Sequence, residues 1–236
     1  MFTDRILRIG DRLIEMNGKL VTLDLDIGTV QPRHLRLRFA PGKGPTRYDI
    51  EQRRRGTWTQ ICTDPNIWDL YVLDGGEWAN ALSLAYFQTR VNIVEVIDGD
   101  ASGVTYMDGC FANCPNIRSV GPLYNTGSVV SCWHMFYGEG SIVHVTPFDT
   151  SNVRNFQSMF AYQQKLREVP LLDTSSATDL ISMYSNCVNV ETGILSAYNE
   201  MTSHGTNPYH HNTFVRCGIN TLTGRAELAQ IPSSWK

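Results

Sequence analysis

Residues 149–173 read DTSNVRNFQSMFAYQQKLREVPLLD, one copy of a periodic unit. The opening pair Asp149-Thr150 is matched by Asn125-Thr126 and Asp173-Thr174, and the central pair Met159-Phe160 by Met135-Phe136 and Met183-Tyr184, each 24 residues from the last. Three apolar columns keep the period at 24 or 25 residues: Ile93, Ile117, Ile142 and Leu166; Val96, Val120, Val145 and Val169; Phe111, Phe136, Phe160 and Tyr184. A fixed period in the twenties marks units that cannot bury an apolar face alone and stack on their neighbours. Within a unit, the Asp or Asn oxygens suit a turn cap. A short helical turn would carry the Met–aromatic pair inward, and the Ile/Leu-x-x-Val segment would join a parallel strand ladder. The expected fold class is α/β, a β/α solenoid of about four to five units of 24–25 residues, preceded by a small antiparallel β unit.

Upstream of the period, the chain reads as strands. Asn17-Gly18 is a strong hairpin signal between apolar runs, and Gly10-Asp11 is a second turn. Along His34–Phe39, Leu35, Leu37 and Phe39 alternate with His34, Arg36 and Arg38, the two-residue period of a half-buried strand. Residues 40–60 are rich in Gly, Pro and charge and read as a connection or an elaborate turn. Asn66–Tyr71 and Ile93–Ile97 read as strands, and Trp78–Tyr86 as a helix closing the first unit. The division is therefore 1–45, a β-rich attachment unit; 46–98, a connection and cap; and 99–236, the periodic body with an elongated C-terminal cap.

The period breaks at residues 192–213. Ile194–Met201 reads as a helix, followed by a loop bearing His204, His210 and His211. No further ligand is evident beside these histidines, so neither a metal site nor a cofactor is expected. Trp235 is expected to lid the last layer. Of the six cysteines, Cys114, Cys187 and Cys217 share one position, three residues after the aromatic, which points to core packing rather than disulfides.

Net charge is −3 over 236 residues, and selects no partner class. Its distribution is uneven: residues 1–60 hold 12 Lys+Arg against 7 Asp+Glu, and the remainder 8 against 16. The run Arg53-Arg54-Arg55 is too isolated to indicate nucleic acid. No stretch has the length of a membrane span. The start, MFTDRILRIGDRLIEMNG, lacks the apolar core of a signal peptide, so the expectation is a chain made in the cytoplasm.

The unit Asp149-Thr150-Ser151-Asn152-Val153, Met159-Phe160, Leu166-x-x-Val169-Pro170 and Leu172-Asp173 resembles the BspA-like leucine-rich repeat family. That family occurs in bacterial surface proteins and in phage or prophage tail-associated proteins of gut bacteria. The likeness covers roughly residues 90–236, and the ending Ala229-Gln230-Ile231-Pro232-Ser233-Ser234-Trp235 looks most like the phage-associated members. It implies a leucine-rich-repeat-type solenoid used for binding, and transfers no catalytic residue.

The functional expectation is a non-enzymatic virion or tail-structure component, made in the host cytoplasm. The solenoid would bind a host surface protein or glycan, and the front unit would dock onto other tail proteins, as a homo-oligomer. A bacterial cell-surface adhesin is the alternative, and a tail-borne glycan-degrading enzyme a remote one, since Asp98 and Asp100 sit at turn positions. Candidate binding residues are Trp133, His134 and Tyr137, in the unit that departs most from its neighbours, with Tyr162, Tyr209, His210 and His211. Candidate assembly residues are Arg36, Arg38, Arg53, Arg54 and Arg55. In the opening unit, Gln157, Tyr162, Gln163, Gln164, Lys165 and Arg167 are expected to be free to meet a partner.

Overall fold

The computed structural model describes residues 33–45, 57–60, 63–72 and 92–236, together with three short strands near the start. Those strands are β1 (Arg8–Ile9), β2 (Arg12–Met16) and β3 (Lys19–Val21), which pair in order as an antiparallel meander. Met16 lies opposite Lys19, the register expected of a two-residue hairpin at Asn17-Gly18. The predicted Trp78–Tyr86 helix and Arg53, Arg54 and Arg55 lie outside the described residues.

A second, mixed sheet of seven strands dominates the molecule. Its strands are β4 (Arg33–Phe39), β5 (Thr57–Thr59), β6 (Ile67–Val72), β7 (Ile93–Asp100), β8 (Ser119–Val120), β9 (Leu123–Tyr124) and β10 (His144–Val145). The order is β10-β8-β7-β4-β6-β5, with β9 also beside β7. β4 is thus a central strand, antiparallel to both β6 and β7. Its alternation explains the placement. Leu35, Leu37 and Phe39 are buried on one face. On the other, Arg36 lies opposite Asp69 and Asp98 in the strand register, and its charge is met there.

The expectation of an α/β leucine-rich-repeat solenoid is overturned. The main architecture is an open mixed β-sheet, and the described residues contain two α-helices, α1 (Ile194–Ser203) and α2 (Leu222–Ala229). Among the described residues no α-helix lies between β7 and β10; the helical element there is a single 3₁₀ turn, Thr126–Ser128. The parallel ladder of β7, β8 and β10 pairs Val96, Val120 and Val145 in register and then thins to a single bridge, Glu168–Thr192.

The helical turn expected around each Met–aromatic pair is replaced by consecutive tight turns. Two residues per segment, four apart, take positive φ: Gly109 and Asn113, His134 and Gly138, Ser158 and Tyr162, Ser182 and Asn186, Asn212 and Arg216. A left-handed residue every fourth position forbids an α-helix. It also turns alternate amides outward. Met159 and Ala161 donate within their own segment, to Phe156 and Ser158. Phe156, Ser158, Phe160 and Tyr162 donate to Asp179, Ile181, Met183 and Ser185 of the next.

These bonds set successive segments side by side and bring the aromatic column into register. The rings of Phe111, Phe136, Phe160, Tyr184 and Phe214 stack at centroid distances of 5.7, 5.3, 5.4 and 5.7 Å. All are buried. Offset stacking at this spacing adds to the burial of each ring. Trp235 closes the column over Phe214 at 6.4 Å and His210 at 4.2 Å, the lid expected from the sequence.

The Asp/Asn-Thr pair has two roles. Asp149 Oδ1 accepts from Ser151 N and Oγ, closing its turn as expected. Thr150 Oγ1 donates to Asp173 O at 2.8 Å, and Thr126 Oγ1 to Asp149 O at 2.7 Å, each tying one segment to the next.

Cys110, Cys114, Cys132, Cys187 and Cys217 are free and buried. Burial pushes the Cys187 thiol up to about 12, so it packs rather than reacts. Cys187 Sγ donates to Phe160 O, and the residue at the same position one segment earlier, Gln163, donates through Nε2 to Phe136 O. Gln163 is therefore buried, not free to meet a partner as the sequence suggested. Gly140 leaves room for it: a Cβ there would stand 2.0 Å from Gln163 Oε1.

Replacing Phe160 by Ala should cost about 3–5 kcal/mol, because it empties the middle of a continuous ring column. Urea denaturation reads this as a lowered midpoint. A loss under about 1 kcal/mol would contradict the column's role.

Candidate functional site

The segment 131–140, SCWHMFYGEG, places aromatic rings where the neighbouring segments carry none. Trp133 stands where the adjacent segments have Asp108, Gln157 and Ile181. Tyr137 stands where they have Ala112, Ala161 and Ser185. The structure gathers these rings into one cluster. Trp133 stacks on His134 at 4.1 Å, His134 on Tyr137 at 4.5 Å, and Tyr162 of the next segment meets Tyr137 edge-on at 5.6 Å. Trp133, His134 and Tyr137 are half-buried and Tyr162 is exposed. Four of the seven residues singled out for binding thus form a single aromatic surface.

The backbone holds this surface under some strain. His134 and Tyr162 are two of the left-handed residues, with φ of 55° and 69°. Gly or Asn suits that region; a bulky side chain there is uncommon. Asp108, which sequence reasoning passed over, anchors the cluster from the preceding segment. Its Oδ1 accepts from Ser131 Oγ at 2.5 Å and from Trp133 N at 2.9 Å. Burial lowers the His134 pKa, and Asp108 opposes that by attracting the imidazolium.

The other three candidates lie elsewhere. Tyr209 is 70 % exposed, and its backbone bridges to Asp179, three rungs beyond Tyr106 in the ladder Tyr106–Ser131–Asn155–Asp179–Tyr209. His210 stacks on Trp235 and pairs through Nδ1 with Pro208 O, a packing role. His211 is exposed, with its ring 6.0 Å from that of His210. His204 separates from both: its Nε2 meets Glu200 Oε1 at 2.7 Å on α1.

Of the candidate assembly arginines, Arg36 and Arg38 are engaged internally. Arg36 makes a bidentate pair with buried Asp69, at 2.8 and 2.9 Å, and reaches Asp98 at 3.3 Å. Asp98 also meets His34 Nε2 at 3.1 Å. Arg38 pairs with Glu95 and Asp64, and these partners raise its pKa. A guanidinium held by two carboxylates of its own chain offers little charge to a partner. Asp98 and Asp100 are similarly occupied, Asp100 by Ser102 N and Oγ. Beside Arg38 runs a separate groove of about 470 Å³, lined by Arg118, Glu95, Asn116 and Ser119 among others; it shares no residue with the aromatic cluster.

A family model described as "Mycoplasma protein of unknown function, DUF285" matches residues 81–198, half of the chain. The chain belongs to this family. No curated protein and no solved structure matches it. The DUF285 segment contains β7 to β10, the ring column as far as Tyr184, and the whole aromatic cluster. Tyr209, His210, His211 and the Trp235 lid lie beyond it. No helix among the described residues is long and apolar enough to cross a membrane.

The state of His134 is open to measurement. Its folded pKa lies below the ordinary value of 6.5. Above 6.5 both folded and unfolded chains carry it neutral. As pH falls below 6.5 the unfolded chain takes the proton first, so this group's stabilisation declines until the pH passes the lowered folded value. A proton NMR titration should place the His134 midpoint below that of a free imidazole, and lower still in Asp108→Asn. A midpoint at or above the free value would contradict the burial of the ring.

Proposed function

We propose that this chain is a non-catalytic interaction protein whose partner, a host surface protein or glycan, docks on Trp133, His134, Tyr137 and Tyr162. One observation carries the proposal. The segments on either side carry no aromatic side chain at the positions of Trp133, His134 and Tyr137, and there, with Tyr162 of the next segment, the chain builds a contiguous, partly exposed aromatic surface. Two of the four residues hold a left-handed backbone that a small residue would adopt with less strain. Aromatic side chains supply rigid contact area at low conformational cost, which is why they concentrate at recognition surfaces.

A virion or tail address rests on the likeness of the ending Ala229–Trp235 and of the periodic motif to phage-associated members of the BspA-like leucine-rich repeat family. The β1–β3 meander and the sheet around β4 would then face the particle, and symmetric assembly on a tail favours a homo-oligomer. A non-catalytic role is supported by the employment of Asp98 and Asp100 in ion pairs and turn caps, which leaves neither poised as an acid or base.

Purified protein tested against intact host cells and immobilised surface polysaccharides should bind, and Trp133→Ala or Tyr162→Ala should weaken binding by at least about 30-fold, roughly 2 kcal/mol. Tyr124→Ala serves as the control, since Tyr124 is 54 % exposed and lies outside the cluster. Equal loss in all three variants, or no loss in the first two, would remove the cluster from recognition. Absence of the protein from purified particles by mass spectrometry would remove the tail address alone.

A further inference from the structure

We propose that Asp173, Glu200 and His204 form a binding site for one divalent transition-metal ion of the zinc type. Glu200 on α1 and His204, the residue that caps its C-terminal end in helical conformation, stand at i and i+4, where two side chains share a face. Asp173 approaches from the turn that opens the segment before α1. One ligand atom from each residue lies within 4.8 Å of the other two. On a tetrahedral ion with bonds of about 2.1 Å, ligand atoms stand roughly 3.4 Å apart, so closure requires adjustment of the ligand side chains. Two carboxylates and one imidazole form a mixed oxygen and nitrogen set. That suits zinc and its first-row neighbours better than calcium, which takes oxygen alone. Asp173 and His204 are exposed, so water can complete the coordination.

Both carboxylates are also oriented from outside the set. Thr174 N and Oγ1 donate to the two oxygens of Glu200 at 2.9 and 2.6 Å, and Ser175 N donates to Asp173 Oδ1 at 2.8 Å. Such outer donors fix ligand orientation at protein metal sites, and each carboxylate oxygen keeps a lone pair for the ion. The location has a structural logic. Thr126 and Thr150 each bond the carbonyl of the next Asp, but the period ends after Thr174, and Glu200 of α1 stands in for that carbonyl. An ion here would clamp α1 to the joint where the regular ladder stops. On binding, the ion takes the place of the direct contact between His204 Nε2 and Glu200 Oε1, and Nε2 must offer its lone pair, so any proton there leaves it.

The test is isothermal titration of the full chain with zinc chloride at neutral pH, beside thermal melts with and without zinc. The expected result is one zinc per chain at this site and a zinc-dependent rise in melting temperature. Asp173→Asn and His204→Gln should each weaken binding by at least about tenfold and abolish the melting shift. Both substitutions are near-isosteric and exposed, and circular dichroism checks that the variants fold. His210→Gln should leave binding unchanged. No stoichiometric uptake, binding equal in wild type and both variants, or loss in His210→Gln instead would overturn the site.

Discussion

Every second amide in the tight turns around the aromatic column finds its acceptor in the following segment, and the rest of the structure depends on that. An amide buried beside Phe136 or Phe160 without an acceptor would be costly. The left-handed residues at every fourth position resolve this by aiming Phe156, Ser158, Phe160 and Tyr162 at the next carbonyls. The same geometry fixes the ring spacing near 5.5 Å, while beyond β7 the parallel strands β8 and β10 are only two residues long. Where the bonding partner runs out, a substitute appears. Glu200 serves Thr174, and Trp235 O accepts from Phe214 N.

The apolar columns were legible because burial is periodic in the sequence: Ile117, Val120 and Phe136 fill the same slots in the core as Leu166, Val169 and Phe160. The strand β4 was legible from its strict alternation, and α1 from its extent between Gly193 and His204. The turns were not. A run such as Ser-Met-Phe-Ala-Tyr-Gln is compatible with a helix, and the left-handed positions carry Ser158, Tyr162 and His134, which do not announce positive φ. A signal was present in the aligned columns, where Gly109, Asn113, Gly138, Asn186 and Asn212 occupy those slots. The helix α2 was missed for a different reason. It buries only Gly224 and starts on a lone Thr221 cap, so it leaves no apolar stripe to read.

The site was half legible. Trp133, His134, Tyr137 and Tyr162 stood out by departing from their columns, and the fold brings them together. Arg36 and Arg38 stood out by charge, but their acceptors Asp69, Asp98, Glu95 and Asp64 come from strands and turns far along the chain. Gln163 is the instructive error. With Glu139, it breaks a column held by Cys in the other three segments, which suggested a surface position, yet its amide performs the same backbone donation as the Cys187 thiol. Departure from a pattern marks function only where the departing side chain reaches solvent.

Native-state hydrogen exchange tests the ladder most directly, amide by amide. The account predicts that Phe156, Ser158, Phe160 and Tyr162 exchange together, through the same opening that exposes Phe136 and Tyr184, because their acceptors lie in a neighbouring segment. Rapid exchange at these four amides, with Met159 and Ala161 still protected by bonds inside their own segment, would show that each turn stands alone, and would contradict the account.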